Sequence, residues 1–151
     1  MAGNAADKEK LTREIYDAYN KGDWEVIQRN LADNAVLTAM ALGHKVYKGP
    51  SGVLEYMQNH KKPLNLSISV QQVVSCEDAT VVEFIGKGTH TAPYTMPNGD
   101  VIPPSGKSGE VPICHVLKWK NDKISEIHTY FDLTSLMNIM GIGLYEDVHR
   151  H

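Results

Sequence analysis

The chain has 151 residues, with 18 acidic against 15 basic side chains and a formal charge of −3. That length suits one domain with its own core, and the charge balance gives no electrostatic footprint for nucleic acid. Two cysteines, Cys76 and Cys114, make no disulfide framework, no run approaches the length of a membrane span, and the N-terminal MAGNAADKEKL lacks a signal-peptide core, so a soluble, cytoplasmic protein is expected.

Residues 8–21 predict an amphipathic helix, with Leu11, Ile15, Ala18 and Tyr19 on one face and Gly22 as its stop. Asp23 is placed to cap a second helix from Trp24 to about Leu31. Residues 35–41 and 44–48 read as a short hairpin around Gly43, and Pro50 opens a third helix carrying Val53, Leu54 and Met57. At Leu64 the period changes to two. Leu64, Leu66, Ile68, Val70 and Val74 alternate with polar residues and predict a long strand with one buried face. After a turn at Glu77-Asp78, the alternation of Thr80, Val82, Phe84, Gly86, Gly88 and His90 predicts the inward face of the next strand. Residues 91–109 form a Pro/Gly-rich connection with a tight turn at Asn98-Gly99, and connections this long are often lids or binding loops. Strands over 110–120 and 123–131 flank Asn121-Asp122, and Leu133, Leu136, Met137 and Met140 predict a closing helix over about 133–140. Helices first, then a mostly antiparallel meander, then a helix describe an α+β domain over 8–142, with 1–7 and 143–151 as tails.

The segment ISEIHTYFDLTSLMNIMG, from Ile124 to Gly141, carries the most chemistry. A strand there would point His128, Tyr130 and Asp132 to one face. If Asn121-Asp122 is a two-residue hairpin loop, Lys120 faces Lys123 and, counting outward, His115 faces His128 and Val111 faces Asp132. The ends of three meander strands would then bring His90 and Asp132 to within about 10 Å of each other. Asp132 has two readings: an acid/base group, or the N-cap of the closing helix. Three histidines on one face admit a metal only weakly, because no close ligand pair with a known spacing is present. His44, His60, His149 and His151 are read as exposed, with no role. Val116, Ile127 and Phe131 on the face away from the pocket predict a homodimer or higher homo-oligomer.

Four segments, AYNKGDWEVIQRNLADNAVL, YKGPSGVLEYM, GTHTAPYTMPNGDVIPPSGKSGEV and KISEIHTYFDLTSLMNIMG, together resemble the SnoaL-like polyketide cyclases over about residues 8–142. These form the ester-cyclase branch of the nuclear-transport-factor-2-like fold. The resemblance implies a curved sheet forming a cone, helices that close it, and a ligand pocket inside. It also implies intramolecular aldol closure by a pocket aspartate without metal or cofactor, and Asp132 falls at the matching position. The chain departs from the family at His128, where relatives commonly carry tryptophan, and near His115, where an acidic residue is common.

The joint expectation is a cofactor-free enzyme acting beside a carbonyl, with Asp132, His90 and His115 catalytic. His128, Tyr130, Tyr94, Tyr19, Trp24, Phe84, Met40 and Met57 would hold a small apolar or aromatic carbonyl-containing ligand. A dehydratase or isomerase on the same fold, and a non-catalytic ligand-binding or dimerisation module, stand as alternatives.

Overall fold

A computed structural model describes residues 4–142. Helix α1 (Ala5–Lys21) starts earlier than expected because Asn4 caps it, accepting the Asp7 N–H at 2.9 Å, and it ends at Gly22 with φ +69°. Helix α2 (Trp24–Arg29) is short, and Leu31 opens strand β1 (Leu31–Ala39) rather than closing the helix. A 3-10 turn at Met40–Leu42 leads to β2 (Lys45–Lys48), so the expected hairpin around Gly43 forms. Helix α3 (Gly49–Leu64) follows with Pro50 in its first turn. Then come β3 (Ser67–Ser75), β4 (Ala79–Thr89), the small ribbon β5 (Tyr94–Thr95) and β6 (Val101–Ile102), β7 (Ser108–Lys120), β8 (Lys123–Phe131) and helix α4 (Leu133–Ile139). The ribbon lies in the long connection and turns at Gly99, φ +95°. The expected tail 143–151 lies outside the described residues.

Six strands form one sheet in the order β2-β1-β8-β7-β4-β3, antiparallel throughout except that β1 runs parallel to β8. The sheet is curved, and α1 and α3 pack against it to enclose the core. This is the α+β cone of the nuclear-transport-factor-2-like fold. Lys8, which is almost wholly buried, ties α1 to the turn between β7 and β8. The Lys8 Nζ lies 5.2 Å from the Trp119 ring centroid, donates to the Asn121 carbonyl at 3.3 Å and pairs with Asp122 at 3.8 Å. Trp119 in turn donates its indole N–H to Thr80 Oγ1 at 2.8 Å.

Two irregularities correct the expected register. Leu64 stays in the last turn of α3, which Asn65 terminates in the left-handed region at φ +43°, so β3 begins three residues late. A bulge between Val70 and Gln72 then inverts the alternation, and Val73 is buried while Val74 stands exposed.

The second irregularity decides the site. Lys120↔Lys123 and Trp119↔Ile124 pair as the hairpin predicts, but Lys118 pairs with Glu126. Ser125 is the extra residue, its hydroxyl donating to the Lys118 carbonyl at 3.2 Å. One inserted residue sends every later side chain to the other face. His115 therefore faces Thr129, and His128 faces Val116 on the outside. Ile127 and Phe131, assigned to the outer face from sequence, pack in the core instead, so the apolar patch from which a dimer was expected is not formed by them.

Candidate active site

The cone holds a partly open cavity of about 70 Å³ between α1, α3 and the inner face of the sheet. The polar side chains of its wall are Tyr16, Tyr19, Tyr56, His60, His115 and Thr129, and the rest of the lining is apolar. No carboxylate, lysine or arginine is among the described residues that line it.

Tyr16 reaches the cavity from α1 because it shares a helical face with Thr12, Ile15 and Tyr19. His115 comes from the inward face of β7. The Tyr16 hydroxyl and His115 Nδ1 are 2.7 Å apart, and the Phe84 ring meets both edge-on, at 5.3 and 4.8 Å. Burial pushes the His115 pKa from 6.5 down to about 3, so the ring is neutral near pH 7. Burial first, and the neighbouring Cys114 second, raise the Tyr16 phenol well above its ordinary value. His115 Nε2 makes no hydrogen bond among the described residues.

A second imidazole enters from α3. His60 Nδ1 lies 2.9 Å from the Tyr56 carbonyl, and a carbonyl only accepts, so Nδ1 carries the proton. Nε2 then accepts from the Tyr94 hydroxyl at 2.8 Å. Burial lowers His60 to about 4, against the opposing effect of the Tyr56 carbonyl. Both nitrogens are committed, so this ring positions Tyr94 and α3 and has no free atom for chemistry. Thr129 is only 1% exposed. Its hydroxyl is near enough to the Tyr56 phenol to offset part of the rise that burial causes there, yet forms no hydrogen bond of normal geometry.

The expected site residues divide. His115, Tyr19, Phe84 and Met57 line the cavity. Tyr94 stands behind His60, and Trp24 packs edge-on against Tyr19 at 5.7 Å. Met40 lies in the 3-10 turn and does not reach the cavity. His128 and Tyr130 point outward, His128 against Glu126 at 3.1 Å and Tyr130 44% exposed, because of the Ser125 bulge.

Asp132 is exposed and outside the cavity. It caps α4, accepting the Thr134 N–H at 3.1 Å and the Ser135 hydroxyl at 2.7 Å. His90 is buried but also off the cavity, its Nδ1 accepting the Ser105 N–H at 3.2 Å. The two are not at a shared strand end. The Asp132 N–H bonds the Pro112 carbonyl, Pro112 pairs with Ile85, and His90 lies five residues beyond Ile85, roughly 17 Å along the strand.

Sequence reasoning missed His60, Tyr56 and Thr129 as site groups, and took Tyr16, like Tyr19, no further than core or pocket lining. Val53, Met57, His60 and Leu64 recur at helical spacing, which places His60 on the buried face of α3. Thr129 carried no comparable signal, because the bulge that turns it inward is invisible in the alternation. Among the described residues, no three His, Cys, Asp or Glu side chains gather where they could hold a metal ion, and no helix is long and apolar enough to cross a membrane.

A family model for SnoaL-like polyketide cyclases matches residues 9–138. The fold is similar to that of a candidate SnoaL-like polyketide cyclase from Jannaschia Sp. CCS1, at 15% identity and TM-score 0.80 over 93% of this chain and 95% of that one. It is similar to IdmH, a candidate polyketide cyclase from Streptomyces antibioticus, at 20% identity and TM-score 0.71 over 89% and 98%. A candidate ketosteroid isomerase from Kribbella flavida DSM 17836 aligns at 13% identity and TM-score 0.65 over 85% and 79%. At such identities the likeness shows the fold alone. No curated protein matches the sequence. With the family model spanning most of the chain and the cone, helices and cavity in place, the chain belongs to the SnoaL-like polyketide cyclase family.

Proposed function

We propose that the chain is an acid–base enzyme acting on a small neutral carbonyl compound, with the Tyr16–His115 pair moving the proton in place of Asp132. One observation carries this reading: the polar wall of the cavity is a hydrogen-bonded phenol–imidazole pair, with no carboxylate beside it. The pair has two proton arrangements. With the proton on Nδ1, His115 donates to the Tyr16 oxygen, Nε2 is a free base, and the Tyr16 O–H is free to donate. With the proton on Nε2, the imidazole itself donates into the cavity. Proton removal beside a carbonyl uses the first arrangement: Nε2 takes the proton from carbon, and the Tyr16 O–H stabilises the enolate oxygen. The resulting imidazolium returns its proton to another carbon, which is isomerisation, or to a departing hydroxyl, which is dehydration.

The size of the cavity supports these over closure of a large polyketide. Pockets for drug-sized ligands hold roughly 300–1,000 Å³, and this one is about 70 Å³. Met57, unbranched and partly buried at the wall, is suited to yield as a ligand enters. A second reading, a binding module without turnover, is favoured by the low pKa of His115, since a general base works best near the operating pH.

Exchange of carbon-bound protons in deuterated buffer, followed by NMR over a panel of small ketones and enones, tests the proposal. We expect catalysed exchange that falls by roughly 10²-fold or more in His115→Gln and persists in Asp132→Asn. Ligand binding without exchange would select the binding module. Loss of exchange in Asp132→Asn would return the chemistry to the carboxylate.

A further inference from the structure

The cavity wall carries a buried hydroxyl that makes no hydrogen bond of normal geometry with the protein. Thr129 is 1% exposed, lines the cavity, and leaves Oγ1 without a hydrogen-bond partner. An unpaired hydroxyl shut away from water is destabilising, and valine would fill the same volume without that cost. Antiparallel pairing sets Thr129 directly opposite His115 on the inner face, with Cβ atoms roughly 4.5–5.5 Å apart. His115 spends Nδ1 on Tyr16 and keeps Nε2 uncommitted. Two polar atoms without a hydrogen bond therefore belong to paired residues of the cavity wall, Thr129 standing close to the Tyr56 phenol.

We infer that Thr129 Oγ1 and His115, in the tautomer that carries its proton on Nε2 and so donates rather than takes a proton from carbon, form a two-point subsite for a single oxygen of an uncharged ligand, a ketone or its corresponding alcohol, whose hydrocarbon remainder packs against Leu64, Leu66 and Phe84. This rests on the reading of the cavity as a ligand site and names what that site selects. The hydroxyl donates to a carbonyl oxygen or accepts from an alcohol, and the imidazole in this tautomer donates to the oxygen of either. Charged ligands are refused: no lysine or arginine lines the wall to meet a carboxylate or phosphate, and no carboxylate to meet an amine. Because an empty subsite leaves polar atoms unpaired, a hydrocarbon of the same shape is also disfavoured.

The test compares cyclopentanone with methylcyclopentane, binding being read from NMR chemical shifts of the full chain. Thr129→Val should keep a melting temperature at or above that of the wild type, bind the ketone about tenfold more weakly, and bind the hydrocarbon as well as or better than before. Thr129→Ser, which keeps the hydroxyl, should retain the preference for the ketone. Unchanged ketone affinity in Thr129→Val would overturn the subsite. So would a lower melting temperature with the ketone preference intact, which would assign the hydroxyl to Tyr56. A wild-type protein that bound neither probe would fail differently, removing the ligand-site reading itself.

Discussion

Acid should unfold this protein through His115. The ring is buried and neutral, with its pKa held at about 3 by burial against an ordinary 6.5. The unfolded chain takes up a proton below 6.5, and the native ring does not until about 3. The unfolded state therefore binds more protons across that window, so stability rises with pH there. The contribution is fully present above 6.5 and is lost progressively down to about 3. One unit of pKa difference is about 1.4 kcal/mol. At about pH 5 the unfolded chain is favoured by about 2 kcal/mol through this residue, and at about pH 4 by about 3 kcal/mol. Typical domains hold about 5–15 kcal/mol in total, so one histidine removes a large share. Urea unfolding of wild type and His115→Gln at about pH 7 and pH 5, followed by tryptophan fluorescence, measures the effect. Carboxylates and the other histidines titrate alike in both proteins and cancel in the comparison. Wild type should lose about 2 kcal/mol more than the variant between the two pH values. Equal losses would refute the neutral, buried imidazole.

His60, held down to about 4, should act in the same direction, and His60→Gln should narrow the acid sensitivity further by the same urea comparison. Asp132→Ala should cost about 1 kcal/mol through loss of the α4 cap, while Asp132→Asn should leave the urea midpoint nearly unchanged. In Gly88→Ala the added Cβ would run into the Leu64 carbonyl oxygen, a backbone atom that cannot step aside, so a loss of about 1–3 kcal/mol is expected in thermal unfolding. Deleting Ser125 should remove the bulge yet leave Lys118↔Glu126 and His115↔Thr129 paired, so His128 and Tyr130 stay outward. Circular dichroism should then keep a cooperative thermal transition, and its loss would refute Ser125 as the extra residue.

The fold was legible because its signals are local. The helical stripe of Ile15, Ala18 and Tyr19, the caps near Gly22 and Pro50, and the alternation from Thr80 to His90 each report an element directly. The site was legible only in part, because it depends on which strand faces which. Counting outward from Asn121-Asp122 gives the right partners for two residue pairs and the wrong ones after Ser125. That slip moved His128, Tyr130 and Asp132 toward the pocket on paper and hid Thr129. His115 survived because its own strand has no bulge before it in the pairing with β4. His60 was misread because a histidine on a helix looks solvent-facing unless it is tested against the apolar stripe it extends.

The single parallel pairing has a consequence for how the chain reaches its native state. Strand β1 lies between β2 and β8, and Leu37 of β1 pairs with Ile127 of β8. The N-terminal third of the chain therefore has no place in the sheet until nearly all of it has been made. During synthesis, residues 31–39 must wait beside the ribosome with one hydrogen-bonding edge unoccupied, carrying Leu31, Leu37 and Ala39 that later become fully buried. Closing so large a loop before any contact rewards it also places the molecule among the slower folders of its size. The strand that completes the cone is thus the one most exposed to mispairing, and the step that joins β1 to β8 is where a chaperone would have the most to protect.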